Sequence, residues 1–376
     1  MSEGAGAIHQ LIPSLAQRDA VGTHTLLVQS LLRQLGYRSE LYAEEVKPEM
    51  TGLALPLRRF PRRRTSGTIL LYQASIGSPV ASFLAGRPEP KLVNYHNVTP
   101  YGLAEGFDLP VAAMTALGRH QLKRLAPLSD AGIAVSRFNQ QDLLEAGFRR
   151  TFVAPPLVDL RAFDVEVDHE LLERLGERKT SAGGSDWLFV GRISPHKAQH
   201  DLVKALAAYR QAYDPNARLH LVGSAQPALY RDTVARLAME LGLGDAVDLA
   251  GSISPGALAA HYRNADVFVC ASDHEGFNVP LLEAMYHGVP VVAHAAAAVP
   301  ETLGEAGLLL EGPKSALRMA AAVHLVLADP ALRSRLAAAG SRRLEQLAPE
   351  RTKARFARVI EEAIGAADRG PGDTAL

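Results

Sequence analysis

Short apolar runs alternate with longer stretches of helical periodicity along almost the whole chain, and this rhythm limits the fold more than any other feature. A brief apolar run bounded by turn residues suits a buried strand. Strands separated by amphipathic helices pair in parallel, because a crossover helix brings the chain back to begin the next strand in the same direction. The first half reads accordingly. AIHQLI from Ala7, TILLY from Thr68 to Tyr72, KLVNYH from Lys91, AGIAVS from Ala131 and TFVAPP from Thr151 are strand candidates. Between Thr23 and Leu35, the residues Leu26, Leu27, Leu31, Leu32 and Leu35 share one side of a helix. Ser66-Gly67 supplies the turn before TILLY.

LERLGERKTSAGGS, Leu172 to Ser185, turns charged and then small and glycine-rich, the composition of a linker. The alternation then restarts. WLFVG (Trp187 to Gly191), RLHLVG (Arg218 to Gly223), VDLAG, DVFVC and VPVVA are strands. Helices are expected over His200 to Ala212, around Leu229 to Leu241, near Pro255 to Asn264 and from Pro280. More helix is expected within Ser315 to Leu347 and from Pro349 to Ile364. The pattern predicts an α/β protein with two doubly wound domains. Their expected limits are 1–172 and 186–347, joined by a linker at 173–185. A C-terminal helix at 348–366 follows, with return to the first domain as an option, and a tail at 367–376 reads as disordered.

The 376 residues suffice for two domains, and 47% hydrophobic residues suffice for their cores. Lys+Arg and Asp+Glu balance at 40 each, which argues against a general nucleic-acid binder. The single cysteine, Cys270, excludes an internal disulfide and a multi-cysteine zinc site, and fits a reducing cytoplasm. Neither a secretory signal nor a transmembrane run of about 18 apolar residues is expected.

DHEGFNVPLLEAMYHGVPVVA, from Asp273, holds two carboxylates, Glu275 and Glu283, on either side of a helix start. Pro280 suits the first helical position, where its missing N–H costs nothing. Phe277, Asn278 and Val279 then form the loop feeding the helix, whose free N–H groups and dipole favour a phosphate. One carboxylate can hold paired hydroxyls such as those of a ribose, and the other a second polyol beyond the phosphates. Two acids that merely complement the helix dipole are the plain alternative. GRISPHK places Arg192 and Lys197 after the first strand of the same domain. Ligands of open α/β sheets bind at the C-terminal ends of strands, so these cations and the helix start can share one crevice and hold a diphosphate without metal. Solvated loop charges are the alternative.

At this point the residues resemble a known family. EGFNVPLLEA is similar to the E-x7-E motif of the retaining glycosyltransferases of the GT-B fold, family 4. GRISPHK resembles that family's Arg/Lys loop, and PETLGEAGLLL the segment after the motif. The resemblance implies two Rossmann-like domains facing across a cleft, with a nucleotide sugar mainly on the second and the acceptor approaching from the first. It implies that Glu283 holds the ribose, Glu275 the donor sugar, and Arg192 and Lys197 the departing diphosphate. The N–H groups near Asn278 and Val279 would bind the distal phosphate, with Phe277 and Gly223 also lining the donor site. It implies no cofactor and no protein nucleophile. In the first domain, Gly22 precedes the first helix and allows close backbone approach to a phosphate, or is a simple turn glycine. His96, ending a strand, would reach the donor sugar, or be a buried structural histidine. Ser136 and Arg137 follow another strand, where they can meet acceptor or phosphate.

Other signals fail. GLGDAV lacks one dinucleotide glycine and precedes its strand, HELLE lacks the second histidine of a zinc helix, and no P-loop occurs. DVE from Asp164 only loosely echoes a D-x-D metal motif. Cys270 closes an apolar strand and reads as core. RRFPRRR brings together Arg58, Arg59, Arg62, Arg63 and Arg64. It reads as a solvated loop or as a contact for anionic lipid or acceptor, which would place the protein at the inner face of a membrane. A sugar transferase, a nucleotide-sugar epimerase or hydrolase, and a nucleotide-sugar sensor are the functions that remain.

Overall fold

The computed structural model describes residues 6–17, 19–63, 66–225 and 227–365. The expected tail at 367–376 and Arg64 lie outside the described residues. The chain divides into two compact units. One holds the residues up to Gly102, then Pro110–Val158 and the segment from Pro349 on; the other holds Leu103–Leu109 and Asp159–Ala348.

The first unit is built on seven strands: β1 (Ala7–Leu15), β2 (Leu41–Val46), β3 (Leu55–Pro56), β4 (Thr68–Ala74), β5 (Lys91–Tyr95), β6 (Ala131–Ala134) and β7 (Thr151–Val153). All neighbours pair in parallel, in the order β3-β2-β1-β4-β5-β6-β7. β1 and β4 are buried almost throughout, as central strands covered on both faces must be. The crossovers include α1 (Ala20–Gln34), α2 (Pro79–Ala85), α3 (Leu109–Leu125) and α4 (Arg137–Ala146). The sequence reading placed β1 and β4 to β7 but not β2, β3 or α2 to α4. LYAEEV turns charged after three buried residues, so its strand pattern is short.

The second unit carries β8 (Asp186–Val190), β9 (Arg218–Val222), β10 (Val247–Gly251), β11 (Val267–Cys270), β12 (Val291–His294) and β13 (Gly307–Leu310). Its order is β10-β9-β8-β11-β12-β13, again wholly parallel. Its helices are α5 (His169–Ala182), α6 (Gln199–Ala212), α7 (Ala228–Glu240), α8 (Pro255–Asn264), α9 (Val279–Tyr286), α10 (Val299–Leu303), α11 (Ala316–Ala328) and α12 (Pro330–Gln346). Both sheets have the doubly wound order in which the winding reverses beside the first strand, between β1 and β4 and between β8 and β11.

The stretch expected to be a linker is largely helical. The Asp168 side chain caps α5 by accepting from Leu171 N–H at 2.9 Å, and Leu171 and Leu172 pack with Val167, Ala259 and Ala260. A good cap and one apolar stripe outweigh the charged composition. Gly183 and Gly184, both with positive φ, and Ser185 separate α5 from β8. The last helix, α13 (Pro349–Gly365), belongs to the first unit. Phe356, Val359, Ile360 and Ala363 enter the core around Ile8, Val28 and Leu71.

Candidate active site

The loops following β8 and β11 meet at the switch point of the second sheet. Past β8, Gly191 N–H bonds the Val222 carbonyl at 2.9 Å. Gly191 and Gly223 have φ of 150° and 145°, and a Cβ on Gly223 would fall 2.1 Å from the Gly191 oxygen. The ends of β8 and β9 therefore touch backbone to backbone, which only glycine permits. Gln199 Nε2 donates to the Arg192 carbonyl at 2.9 Å, and Ile193 N–H to Ser224 at 2.8 Å. These bonds shape a loop in which Pro195–Lys197 forms one 3-10 turn. Asp273 N–H then donates to the His196 carbonyl at 2.8 Å, tying this loop to the one after β11.

The tie brings Lys197 Nζ to 2.5 Å from Glu275 Oε2. Glu275 is 5% exposed, and its other oxygen accepts from Ser272 Oγ at 2.8 Å and Asn278 Nδ2 at 3.1 Å. A buried carboxylate with three donors is held in one geometry. Asn278 is the N-cap of α9 in the left-handed region, φ 74°, and its amide turns back to Glu275 rather than capping the helix. The first turn of α9 thus has no side-chain cap on its N–H groups. Phe277 is buried, and its carbonyl accepts from Thr302 Oγ1 at 2.5 Å, anchoring the loop to α10. The Arg192 side chain is exposed on the loop after β8.

α9 begins at Val279 with Pro280 second, so Glu283 lies just beyond the first turn rather than within it. Glu283 Oε2 accepts from Tyr262 OH at 2.7 Å. Burial raises the carboxyl above its ordinary range, and the Tyr262 hydroxyl works against that rise. Tyr262 and Ser272 were not singled out from sequence. Ser272 lies only three residues before Glu275, a spacing that offers a local signal. Tyr262 comes from α8, and nothing near Glu283 in sequence points to it.

In the first unit, Gly22 is inside α1 rather than before it, its N–H donating to the Asp19 cap at 3.1 Å. A Cβ there would sit 3.2 Å from Leu15 and 3.3 Å from the Ala16 carbonyl, so the helix start packs tightly on the end of β1. His96 directly follows β5 and bonds Gln73 Oε1 at 2.7 Å; burial pushes the ring down to about 3. Ser136 is buried and caps α4, accepting from Asn139 N–H at 3.2 Å and donating to Asn139 Oδ1 at 2.7 Å. Its hydroxyl is thereby committed to the helix start. Arg137, the first residue of α4, is exposed. Arg58, Arg59, Arg62 and Arg63 are exposed around buried Phe60, over which Arg87 lies 5.0 Å from the ring centre. Among the described residues, no cluster of His, Cys, Asp or Glu is placed to hold a metal, and no helix is long and apolar enough to cross a membrane.

Comparison with known proteins falls on this same region. Residues 178–343 match the family model of Glycosyl transferases group 1. That segment contains the Arg192–Lys197 loop, Gly223 and the whole of Glu275 to Glu283. A D-inositol 3-phosphate glycosyltransferase of Kineococcus radiotolerans is 33% identical over 65% of this chain and 58% of its own length. A GDP-mannose-dependent alpha-(1-6)-phosphatidylinositol monomannoside mannosyltransferase of Mycobacterium tuberculosis is 32% identical over 58% of this chain and 57% of its own. The chain therefore spans little more than half the length of these curated relatives. The crystal structure of Anabaena Alr3699/HepE in complex with UDP-glucose superposes with a TM-score of 0.74 at 16% identity, over 94% of this chain and 99% of that one. The two Rossmann-like units are those of the GT-B fold.

Proposed function

We propose that this protein is a retaining, metal-independent glycosyltransferase that moves a sugar from a UDP- or GDP-sugar to an acceptor hydroxyl. The observation that carries the reading is the Lys197–Glu275 pair, set beside a helix start without a side-chain cap at the switch point of a parallel sheet. A cation and a positive helix end held at fixed positions suit a diphosphate that gains charge as it leaves. In this reading Arg192 and Lys197 neutralise the diphosphate, and the N–H groups of Asn278 and Val279 hold its distal phosphate. Glu283 offers its second oxygen to the ribose hydroxyls while Tyr262 holds the first. Glu275, already shared by three donors, takes the donor sugar's hydroxyls. Phe277 and Gly223 line the donor site. Within the first unit, Gly22, His96 and Arg137 are the residues assigned to phosphate, sugar and acceptor; the Ser136 hydroxyl, committed to the start of α4, is not.

The chemistry breaks the bond between the anomeric carbon and the diphosphate oxygen and forms one to the acceptor oxygen on the same face. The acceptor's proton passes to the departing phosphate oxygen. No protein nucleophile is assigned. The relatives' names make a phosphorylated cyclitol, free or lipid-linked, the first acceptor to try, with UDP-sugars and GDP-mannose as donors.

The test is a donor panel incubated with and without such acceptors, in the presence of a chelator. Acceptor-dependent release of nucleoside diphosphate, with an anomerically retained product by NMR, supports the proposal. Release without acceptor makes the protein a hydrolase or epimerase, and tight binding without turnover makes it a sensor. Loss of release on chelation overturns metal independence. For a lipid-linked acceptor, replacing Arg58, Arg59, Arg62 and Arg63 by serine should abolish pelleting with anionic liposomes. Equal pelleting of both proteins, or none of either, ends the idea of membrane contact through these arginines.

A further inference from the structure

A run of buried amides connects the interior of the first unit to His96. Gln10, Gln73 and Asn94 are 0% exposed and His24 is 1% exposed. They project from β1, β4, β5 and α1. Uncharged polar groups so deep in a core need complete hydrogen bonding, and their order of donors and acceptors can be read from a fixed end.

That end is the Thr25 carbonyl, which only accepts. Gln10 Nε2 donates to it at 3.0 Å, so Gln10 presents its oxygen toward Gln73. Gln73 Nε2 meets that oxygen at 2.6 Å, so Gln73 presents its own oxygen in turn. His96 Nε2 lies 2.7 Å from that oxygen and must carry a proton. Asn94 sits 2.9 Å from the same oxygen and 3.3 Å from His96 Nε2. Asn94 Nδ2 therefore donates to that oxygen beside His96, and turning the amide over would set two acceptor oxygens 2.9 Å apart. On the far side, Leu157 N–H meets His24 Nδ1 at 2.9 Å, and His24 Nε2 lies 2.9 Å from Asn94 Nδ2.

We propose that Gln10 and Gln73 are positioning residues that hold His96 as the neutral Nε2–H tautomer, with a bare Nδ1 that accepts a hydrogen bond from a substrate hydroxyl. The role in turnover rests on the glycosyltransferase reading; the tautomer does not. No described residue bonds Nδ1. Burial removes the cationic form, holding His96 at about 3, and the titratable neighbour is His24, whose ring lies 4.9 Å away and is also kept neutral by burial. His96 is thereby excluded as a cation or a proton donor from Nδ1. It orients a substrate by accepting.

The ring nitrogens report the state directly. In wild-type protein labelled with 15N-histidine, His96, assigned with His96→Gln, should show a protonated Nε2 and a bare Nδ1, unchanged from about pH 5 to about pH 8. Gln73→Met, which keeps the volume and removes the acceptor, should draw the two shifts together as the tautomers mix. It should also lower kcat about ten-fold or more, with KM little changed. Gln10→Met should do the same more weakly, since Gln73 is then free to turn. A proton on Nδ1, a titration within that range, or unaltered shifts in Gln73→Met overturns the proposal. Should Gln73→Met fail to fold, the wild-type spectrum still decides. Ring shifts as stated but no sugar transfer would sink the transferase reading and leave the relay standing. Transfer with unaltered shifts in Gln73→Met would do the reverse.

Discussion

Glu275 and Lys197 each stabilise the other's charge, and neither is well placed alone. Glu275 is 5% exposed and the Lys197 side chain 18%. Removing one member of such a pair leaves the other as a buried charge without its counterion. Lys197→Ala should therefore lose about 3 kcal/mol of stability as well as activity. The double variant Lys197→Ala/Glu275→Gln should recover most of that stability and none of the activity. Urea unfolding and acceptor-dependent nucleotide release measure the two effects, and equal stability of single and double variants would refute the coupling. Arg192 is exposed, so Arg192→Ala should leave the unfolding midpoint unchanged while lowering kcat/KM about 100-fold or more. Tyr262→Phe removes a hydroxyl bonded to Glu283 at 2.7 Å. The Glu283 carboxyl, already raised by burial, should rise further, and the affinity for a nucleoside diphosphate should fall several-fold when read by calorimetry near neutral pH. An unchanged affinity would remove Glu283 from the ribose site.

At the scale of elements, the second sheet carries a charged cluster where its strands β8, β9 and β10 run side by side. Asp186 of β8 accepts from Arg218 Nε at 2.8 Å and faces His220 Nε2 at 3.0 Å, while Asp248 of β10 faces His220 Nδ1 at 3.3 Å. A carboxylate at each ring nitrogen calls for the imidazolium. Burial lowers the His220 pKa, but its bonds to Asp186 and Asp248 outweigh burial and leave it above the ordinary 6.5. A raised folded value means stability that is fully present below 6.5 and lost as pH climbs through the folded pKa. His261, held near 4 by burial, and the other buried histidines kept neutral contribute the opposite slope near 6.5. The effect is read by difference: over the interval above pH 6.5, wild-type protein should lose more stability, or gain less, than His220→Gln. Parallel slopes in denaturant titrations across that interval would show that His220 is not the source.

At the scale of the molecule, each unit has its own core, and the C-terminal helix α13 completes the first one although it follows the second in sequence. Phe356 is 0% exposed within that core. Phe356→Ala should cost about 3–5 kcal/mol, felt by the first unit alone. Hydrogen exchange should accelerate in β1 and β4 and remain unchanged in β8 and β9. Equal acceleration in both sheets would show that the two cores unfold as one. This return of the chain was an option from the sequence but not a deduction. The amphipathic pattern of Pro349 to Ile364 announces a helix with an apolar face, and says nothing of which core that face enters.

The sequence by itself determined the alternation of strand and helix, and with it two parallel sheets. Strand length, helical period and the need to cover both faces of a parallel sheet are local properties. The eight-residue interval from Glu275 to Glu283 was legible for the same reason, since both ends belong to one loop and helix. Only the tertiary structure decided that Lys197 meets Glu275 across 78 positions, that Tyr262 holds Glu283, and that Gln10 and Gln73 orient His96. Such pairs depend on strand order and register, which hydrophobic burial selects for the whole sheet at once. No single segment carries that information in its own residues.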